Sequence, residues 1–465
     1  MPKIITDEKI IDEVLDRGVE QIFPDREAFK KVLMSGKRIK LYCGFDPTAP
    51  ALHIGNAIQL NKLRQFQELG HDVIFLIGDF TGMIGDPTDK TTTRRKLTRE
   101  ELLTNSENYK KQASGYLKFD GDNPAEIRYN SEWSDKLTFK DIIELASNFT
   151  LQQMINRKMF KRNLIEVKCR HCGHQWRTSI QGSVEDLRSV KGKTTTCPNC
   201  GNKTWLDKSD LKELNKSEIK EIDQLRETPI GFHELLYPLA QGYDSVGMDV
   251  DLEIGGNDQM FNMLIGRDLM RIIKNKEKFV MTLKLLEDEF GKKMGKSEGN
   301  AVFLNQSPND MYGAIMSWAD GLIVPALELA TALPVSEIEK IKEALKNPKN
   351  NPRDFKMKLA YEMVKINHGK EAAGSAEEYF VRTIQKKETP ETVVPIAASI
   401  GTAVISVMTA AKMAESNADA KRKIEQGGVK INEEIIKDIK ATVTKEMDGK
   451  ILKVGKREFR KIKIS

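Results

Sequence analysis

The sequence predicts an α/β fold: a parallel sheet interrupted by a cysteine-bearing insertion, then a helical region and a small basic α+β module. Three observations predict it. Residues 39–44 (IKLYCG) and 73–78 (VIFLIG) are short apolar runs, as strands covered on both faces must be. Between them Ile58, Leu60, Leu63, Phe66 and Leu69 recur at near-helical spacing and Gly70 closes the pattern, so the stretch reads as one strand–helix–strand unit. A second cycle begins at 250–254, where a strand runs through GGNDQ into the helix-like FNMLIGRDLMRII.

With 465 residues, 39% apolar and 31% charged, the chain has the composition of a globular protein of roughly three domains. The N-terminus, MPKIITDEKIIDEV, is charged from the third residue and does not read as a secretory leader. The least polar run, 395–411 (PIAASIGTAVISVMTAA), is broken by Ser, Thr and Gly and is expected to be a packed loop and helix rather than a membrane span. The 74 basic and 68 acidic side chains leave a formal charge of only +6. Their placement says more, because the chain from Ala420 onward is rich in Lys and Arg and ends KILKVGKREFRKIKIS. That suits a polyanionic partner or a solvated basic tail.

Domain boundaries follow from changes of pattern. Residues 1–162 and 223–290 form the sheet domain, and 163–222 interrupt it with two C-x-x-C pairs and a charged helical stretch. Residues 291–305 form a basic glycine-rich loop, and 306–387 turn helical with Pro334, Pro348 and Pro352 as punctuation. Residues 388–465 are a linker and a separate small module.

Three loops of the sheet domain suit a nucleotide. In FDPTAPALHIGN, His53 and Gly55 arrive at a helix N-terminus, where backbone N–H groups and the helix dipole favour phosphate. In KKMGKSEGN, Lys293 and Lys296 flank a Met-Gly pair and suit a polyphosphate whose charge moves onto a leaving group. In TGMIGDPTDKTTTRRK, Asp86 sits near a strand end with Lys90 and Arg94 downstream, acid for an ammonium and bases for phosphate. Taken singly, each is also what an ordinary polar loop looks like.

Taken in order, they resemble the class I aminoacyl-tRNA synthetases, with HIGN at the H-I-G-H position and KMGKS at the K-M-S-K-S position. The resemblance is closer to the bacterial tyrosyl-tRNA synthetase family, whose patterns LYCGFDPTAPALHIGN, TGMIGDPTDK, YPLAQGYDS and LEIGGNDQMFN follow. It implies a Rossmann-type catalytic domain, a helical anticodon-recognition domain at 306–387 and an S4-like RNA-binding domain at the end. It also implies activation of L-tyrosine by ATP with Mg2+, transfer of tyrosine to the 3′ end of tRNA(Tyr), a homodimer, a cytoplasmic location, and neither DNA nor membrane as partner.

Residue by residue, the resemblance implies that Thr48 and His53 meet the ATP phosphates and that Lys293, Lys296 and Ser297 close over pyrophosphate, with Lys90 and Arg94 opposite. Asp46, Gly55, Asn56, Gly256 and Asp258 match the nucleotide and ribose surroundings. Tyr237, Gln241, Asp86 and Gln259 match the holders of the α-ammonium, and Asp244 with Tyr42 the pair that reads the phenol. Tyr237, Gln241 and Asp244 fall at i, i+4 and i+7, one face of a helix. Two positions depart from the pattern. Asn56 replaces the second His and is expected to donate to the nucleotide without carrying charge, and Met260-Phe261 stand where another branch has Trp-Gly and read as packing.

Cys169, Cys172, Cys197 and Cys200 have the spacing of a closed tetrathiolate site for structural Zn2+, of ribbon type, with Gly after each pair. His171 and His174 remain possible substitutes for a thiolate. The ribbon is basic (Lys168, Arg170, Arg177, Lys191, Lys193, Lys203), so it either touches the tRNA acceptor stem or is a surface knob. In the terminal module Ser416 opens a helix carrying Lys421, Arg422 and Lys423, closed by Gly427-Gly428, and Lys430 lies on the strand that follows. These four are the candidate RNA-binding side chains. Two alternatives stand beside this reading: a tryptophanyl-tRNA synthetase-like enzyme, opposed by Tyr42, Asp244 and the S4-like tail, and a non-catalytic RNA-binding factor, opposed by His53, Lys293, Lys296 and Asp86.

Overall fold

The structure, a computed structural model, describes residues 2–86, 96–155, 232–287, 301–385, 395–432, 434–455 and 458–464, together with 163–168, 171–172, 175–180, 194–196, 199–200, 203–205, 212–213, 294 and 393. By internal contacts these fall into two compact units, one of residues 1–306 and 314–368, the other of 307–313 and 369–465. The helical region expected at 306–387 is thus divided between them.

The first unit is built on a six-stranded sheet. Its strands are β1 (Val19–Phe23), β2 (Lys40–Phe45), β3 (Asp72–Ile77), β4 (Glu126–Tyr129), β10 (Leu252–Gly256) and β11 (Phe279–Leu283), in the order β1-β11-β10-β2-β3-β4. All neighbours run parallel except β1, which pairs antiparallel with β11 at one edge. The apolar runs of β2, β3 and β10 are buried on both faces, which is why they read as continuous rather than alternating. From β2 the chain builds outward through β3 to β4; from β10 it builds the other way to β11. The β2/β10 pair is therefore the point where the winding reverses, and in such sheets ligands bind beyond the strand carboxyl ends at that point.

Helix Ile54–Glu68 links β2 to β3 and carries the expected apolar face, with Ile58, Leu60, Leu63 and Phe66 buried. Helices Phe232–Met248 and Met260–Lys274 pack on each other before and after β10, and their crossing is close because Gly242 meets Gly266. The helix Ile323–Ala330 joins this unit through Arg17, which is 7% exposed. Its guanidinium donates to the carbonyls of Glu328 at 2.9 Å, Leu333 at 2.7 Å and Thr331 at 2.8 Å, closing the carboxyl end of that helix.

The insertion contains two hairpins. Strands β5 (Asn163–Lys168) and β6 (Gln175–Ile180) pair antiparallel, as do β7 (Thr194–Thr196) and β8 (Lys203–Trp205), and β9 (Lys212–Glu213) adds to β5. Cys172 lies in a turn between β5 and β6, and Cys200 in a turn between β7 and β8.

The second unit holds a five-stranded sheet of β12 (Pro395–Ala398), β13 (Val429–Ile431), β14 (Glu434–Ile435), β15 (Ile451–Val454) and β16 (Glu458–Ile464), in the order β12-β16-β15-β13-β14. Val404, Met408, Ile424, Val429 and Leu452 lie in its core. The run 395–411 is packed, as expected, but its first part is strand β12 rather than a loop, because β16 supplies a parallel partner. Helix Asn417–Glu425 starts at Ser416, whose hydroxyl accepts from Asp419 N at 3.2 Å, and Gly427 ends it with a positive φ of 69°. No single helix among the described residues is long and apolar enough to cross a membrane.

Candidate active site

Beyond the ends of β2 and β10 lies a cleft of about 300 Å³. Its walls include Tyr42, Asp46, Thr48, His53, Gly55, Asn56, Asp86, Tyr237, Gln241, Asp244, Gly256, Asp258 and Gln259. Every described residue expected to meet tyrosine or the nucleotide therefore lines one cavity. Lys90, Arg94, Lys293, Lys296 and Ser297 lie outside the described residues; their neighbour Met294 is described, is buried and reaches the same cleft.

The loop after β2 is held from outside. Asn105 donates to Pro47 O at 2.9 Å, Tyr109 to Ala49 O at 2.6 Å and Gln112 to Pro50 O at 3.2 Å, while Leu52 N donates to Gln112 Oε1 at 2.8 Å. A proline- and alanine-rich segment with few side-chain bonds of its own is thus fixed by its carbonyls. At its end His53 caps the helix: Gly55 N donates to His53 Nδ1 at 3.0 Å. In the neutral ring that leaves the proton on Nε2, so the imidazole is a donor on its other edge. Asn56, expected to donate to the nucleotide, turns Oδ1 back to accept from His53 N at 3.0 Å, a bond that uses only the oxygen of its amide. The replacement of a second histidine thus completes a capping box, which a histidine ring would not close in the same way.

Asp46, expected among the nucleotide groups, lines the same cleft as they do. Rather than standing only with the nucleotide groups, it accepts from Thr81 Oγ1 at 2.6 Å and from Tyr237 OH at 2.8 Å. Gly78 makes this possible, since a Cβ there would overlap both Asp46 Oδ1 and Thr81 Oγ1. On the opposite wall Gln259 Nε2 donates to Asp86 Oδ2 at 2.7 Å, and Asn262 Nδ2 donates to both Gln259 Oε1 at 3.0 Å and Gln241 Oε1 at 2.8 Å. Two carboxylates, a phenol and the amides of Gln241 and Gln259 thus line the cleft, with Asn262 linking the two amides, a set that favours a cation.

The deeper end is more buried. Asp244, 2% exposed, accepts from Trp133 Nε1 at 2.9 Å and Asn130 Nδ2 at 3.3 Å. Burial drives its carboxyl well above the usual range, against which the Trp133 and Asn130 hydrogen bonds favour the charged form. Asp244 is therefore not left unpaired; it keeps acceptor capacity beyond the two bonds it makes. Tyr42 does not bond to Asp244. Its hydroxyl lies 3.0 Å from Ser245 Oγ, and burial, with Glu253 and Asp244 nearby, raises its ionisation well above the ordinary value.

Sequence reasoning missed Thr81, Asn130, Trp133, Ser245, Glu253, Asn262 and Lys278. One signal was available: Glu253 is a charge in the middle of the apolar run of β10, and a charge there needs a partner. Trp133 and Lys278 carry no such mark. Among the described residues no group of three or more His, Cys, Asp or Glu gathers as a metal site. Of the four cysteines, Cys169 and Cys197 lie outside the described residues. Asn199 Nδ2 is 3.7 Å from Cys172 Sγ, so the second hairpin turn rests against the first. In the terminal module Asp419 engages Arg422 at 2.5 Å and Lys423 at 2.8 Å, while Lys421 stands exposed on the same helix.

Comparison with known proteins agrees with this geometry. The profile of the tRNA synthetases class I (W and Y) matches residues 34–170 and 207–385, passing over the stretch that contains Cys172, Cys197 and Cys200. A tyrosine–tRNA ligase of Thermotoga maritima is 37% identical over 453 residues, 97% of this chain and 96% of that protein. One of Haemophilus influenzae is 36% identical over 462 residues, 99% and 98% of the two chains. Among solved structures, a C-terminally truncated mitochondrial tyrosyl-tRNA synthetase of Coccidioides posadasii aligns with a TM-score of 0.56 at 22% identity, over 80% of this chain and 91% of that one. A tyrosyl-tRNA synthetase of Archaeoglobus fulgidus, complexed with L-tyrosine, aligns with 0.53 at 16% identity, over 80% and 99%. At such identities these two speak for the fold.

Proposed function

The chain belongs to the class I tRNA synthetases of the tryptophan and tyrosine group and acts as a tyrosine–tRNA ligase; from that premise we propose how its cleft divides the work. Tyrosine lies with its ammonium among Asp46, Asp86, Tyr237, Gln241 and Gln259 and its phenol toward Asp244 and Tyr42. ATP, a co-substrate with Mg2+, lies over the His53 loop. The observation that carries this is the gathering of Asp46–Tyr237 and Asp86–Gln259–Asn262–Gln241 around one end of a cleft whose other end holds buried Asp244.

In the first step a carboxylate oxygen of tyrosine forms a bond to the α-phosphorus while the bond to the pyrophosphate oxygen breaks. No protein nucleophile is required, so the residues contribute position and charge. His53 donates from Nε2 to a phosphate, with Thr48 beside it. Lys293, Lys296 and Ser297 on one side, with Lys90 and Arg94 on the other, offset the charge gathering on pyrophosphate. In the second step tyrosine passes to the 3′ end of tRNA(Tyr). Amino-acid-dependent ATP–pyrophosphate exchange tests the assignment: exchange is expected with tyrosine and not with tryptophan or phenylalanine. Absence of exchange with tyrosine, or preference for tryptophan, sinks it.

The remaining partners belong to the same reading. A structural zinc would be held by Cys169, Cys172, Cys197 and Cys200, and the two hairpin turns meeting at Asn199 and Cys172 support that set. When bound, the ion would cross-link two short hairpins and leave no open position for chemistry. The expected result is one zinc per chain by elemental analysis, lost when Cys172 and Cys200 become Ser; a metal-free native chain overturns it. Lys421, Arg422, Lys423 and Lys430 would meet tRNA phosphates in the cytoplasm, where charged tRNA is used. A homodimer is supported by apolar side chains left in solvent around one core cluster: Phe139 is 78% exposed, Phe232 77%, Ile143 54% and Leu151 57%. Sedimentation at one chain's mass would exclude it.

A further inference from the structure

Beneath the phenol end of the cleft lies a buried ion pair that the reaction as derived above does not use. Lys278 is 0% exposed and Glu253 2%. The Lys278 ammonium spends all three protons there: on Glu253 Oε2, on Ser245 Oγ at 2.8 Å and on Met263 O at 3.2 Å. Glu253 Oε1 accepts from Gln241 Nε2 at 3.2 Å. Ser245, itself fully buried, stands between this pair and Tyr42. The space for the ammonium exists because position 266 is glycine; a Cβ there would sit 2.7 Å from Lys278 Nζ and 3.0 Å from Ser245 Oγ.

The direction of the first hydrogen bond follows from what each group can do. An ammonium only donates, so Lys278 occupies a lone pair of Ser245 Oγ. The Ser245 proton has two acceptors in reach, Glu253 Oε2 at 3.4 Å and Tyr42 OH at 3.0 Å. Either oxygen of the Tyr42–Ser245 bond can be the donor, and both arrangements hold the Tyr42 hydroxyl against Ser245. Glu253 also acts on the Tyr42 hydroxyl, so the ion pair reaches it directly as well as through Ser245. Hydrogen bonds arranged head to tail polarise one another, and a buried charge at the head of the chain strengthens every later member.

We propose that the Lys278–Glu253 pair is a positioning device for substrate selection, acting through Ser245 to fix the Tyr42 hydroxyl at the cleft beside Asp244. A hydroxyl fixed beside a carboxylate matches a phenolic hydroxyl, and selection weakens when that hydroxyl is no longer held in place. The inference rests on the tyrosine-ligase reading and deepens it. Glu253 lines the cleft and Lys278 lies behind it, and both act as positioning residues.

The test compares the full-length chain with Ser245→Ala and with the double variant Lys278→Met, Glu253→Gln. Ser245→Ala keeps the ion pair and removes only the link. The double variant removes both charges together, so no lone charge is left buried, and Gln keeps an acceptor for Gln241. In ATP–pyrophosphate exchange both are expected to raise KM for tyrosine about tenfold while KM for ATP stays put. Exchange with phenylalanine is expected to hold, so the tyrosine-to-phenylalanine ratio of kcat/KM drops about tenfold. A pair that only supports packing shifts the melting temperature and leaves that ratio and the tyrosine KM at parental values in both variants; that result overturns the proposal. Parental exchange is measured alongside: if the parent shows none with tyrosine, the function reading falls and this inference with it.

Discussion

Asp244→Asn is expected to lower kcat/KM for tyrosine at least about a hundredfold while changing KM for ATP little. The carboxylate has two oxygens that accept from Trp133 Nε1 and Asn130 Nδ2. An amide keeps one acceptor and turns a donor toward whichever partner faces its nitrogen. Either Trp133 or Asn130 then meets a like donor in a buried site, or the amide rotates and presents its NH2 to the phenol. Both outcomes remove the acceptor that a phenolic hydroxyl needs, so selection against phenylalanine should fall with activity. Steady-state exchange with tyrosine and phenylalanine, with ATP varied separately, measures all three quantities. Parental selectivity in Asp244→Asn would remove Asp244 from the recognition of the substrate.

Lys278→Met is expected to destabilise the fold by about 3–5 kcal/mol, because it strands the Glu253 charge in a site that is 2% exposed. Burial already pushes the Lys278 ammonium below its ordinary pKa, and the Glu253 carboxylate beside it opposes that fall. Take away the ammonium and Glu253 must take up a proton or draw in water. Adding Glu253→Gln removes that need, and the double variant should recover most of the loss, since a neutral pair carries no desolvation cost of this kind. Urea denaturation of the parent, the single and the double variant checks it. A single variant as stable as the parent would show that losing Lys278 strands no charge there.

Much of the site was legible in the residues. HIGN, GGNDQ, Asp86 and the Y-x-x-x-Q-x-x-D spacing all point to groups that line the cleft. They were legible because each is a local pattern, a capped helix or one helical face, whose geometry short-range sterics and hydrogen bonding dictate. The strands were legible for a similar reason: a strand covered on both faces is largely apolar, and β2, β3 and β10 are, apart from their first residues Lys40 and Asp72 and the buried Glu253 within β10. The division into units was not. Arg17 ties helix Ile323–Ala330 to the sheet unit across more than 300 positions, and neither partner advertises the other.

The same contrast separates the groups around tyrosine. Read alone, the chain establishes the α/β class, the one-face spacing of Tyr237, Gln241 and Asp244 and the spacing of the paired cysteines, because each depends on neighbours close along the backbone. Packing alone settles that Asn56 closes a cap, that Asp46 joins Tyr237, and that Tyr42 leans on Ser245 rather than on Asp244. Those pairings join side chains up to 203 positions apart, and a buried polar group takes whichever partner the fold brings within about 3 Å. Lys278 is the extreme case: as a letter it is one more surface lysine, and it becomes a buried cation only where Gly266, Ser245 and Glu253 converge on it.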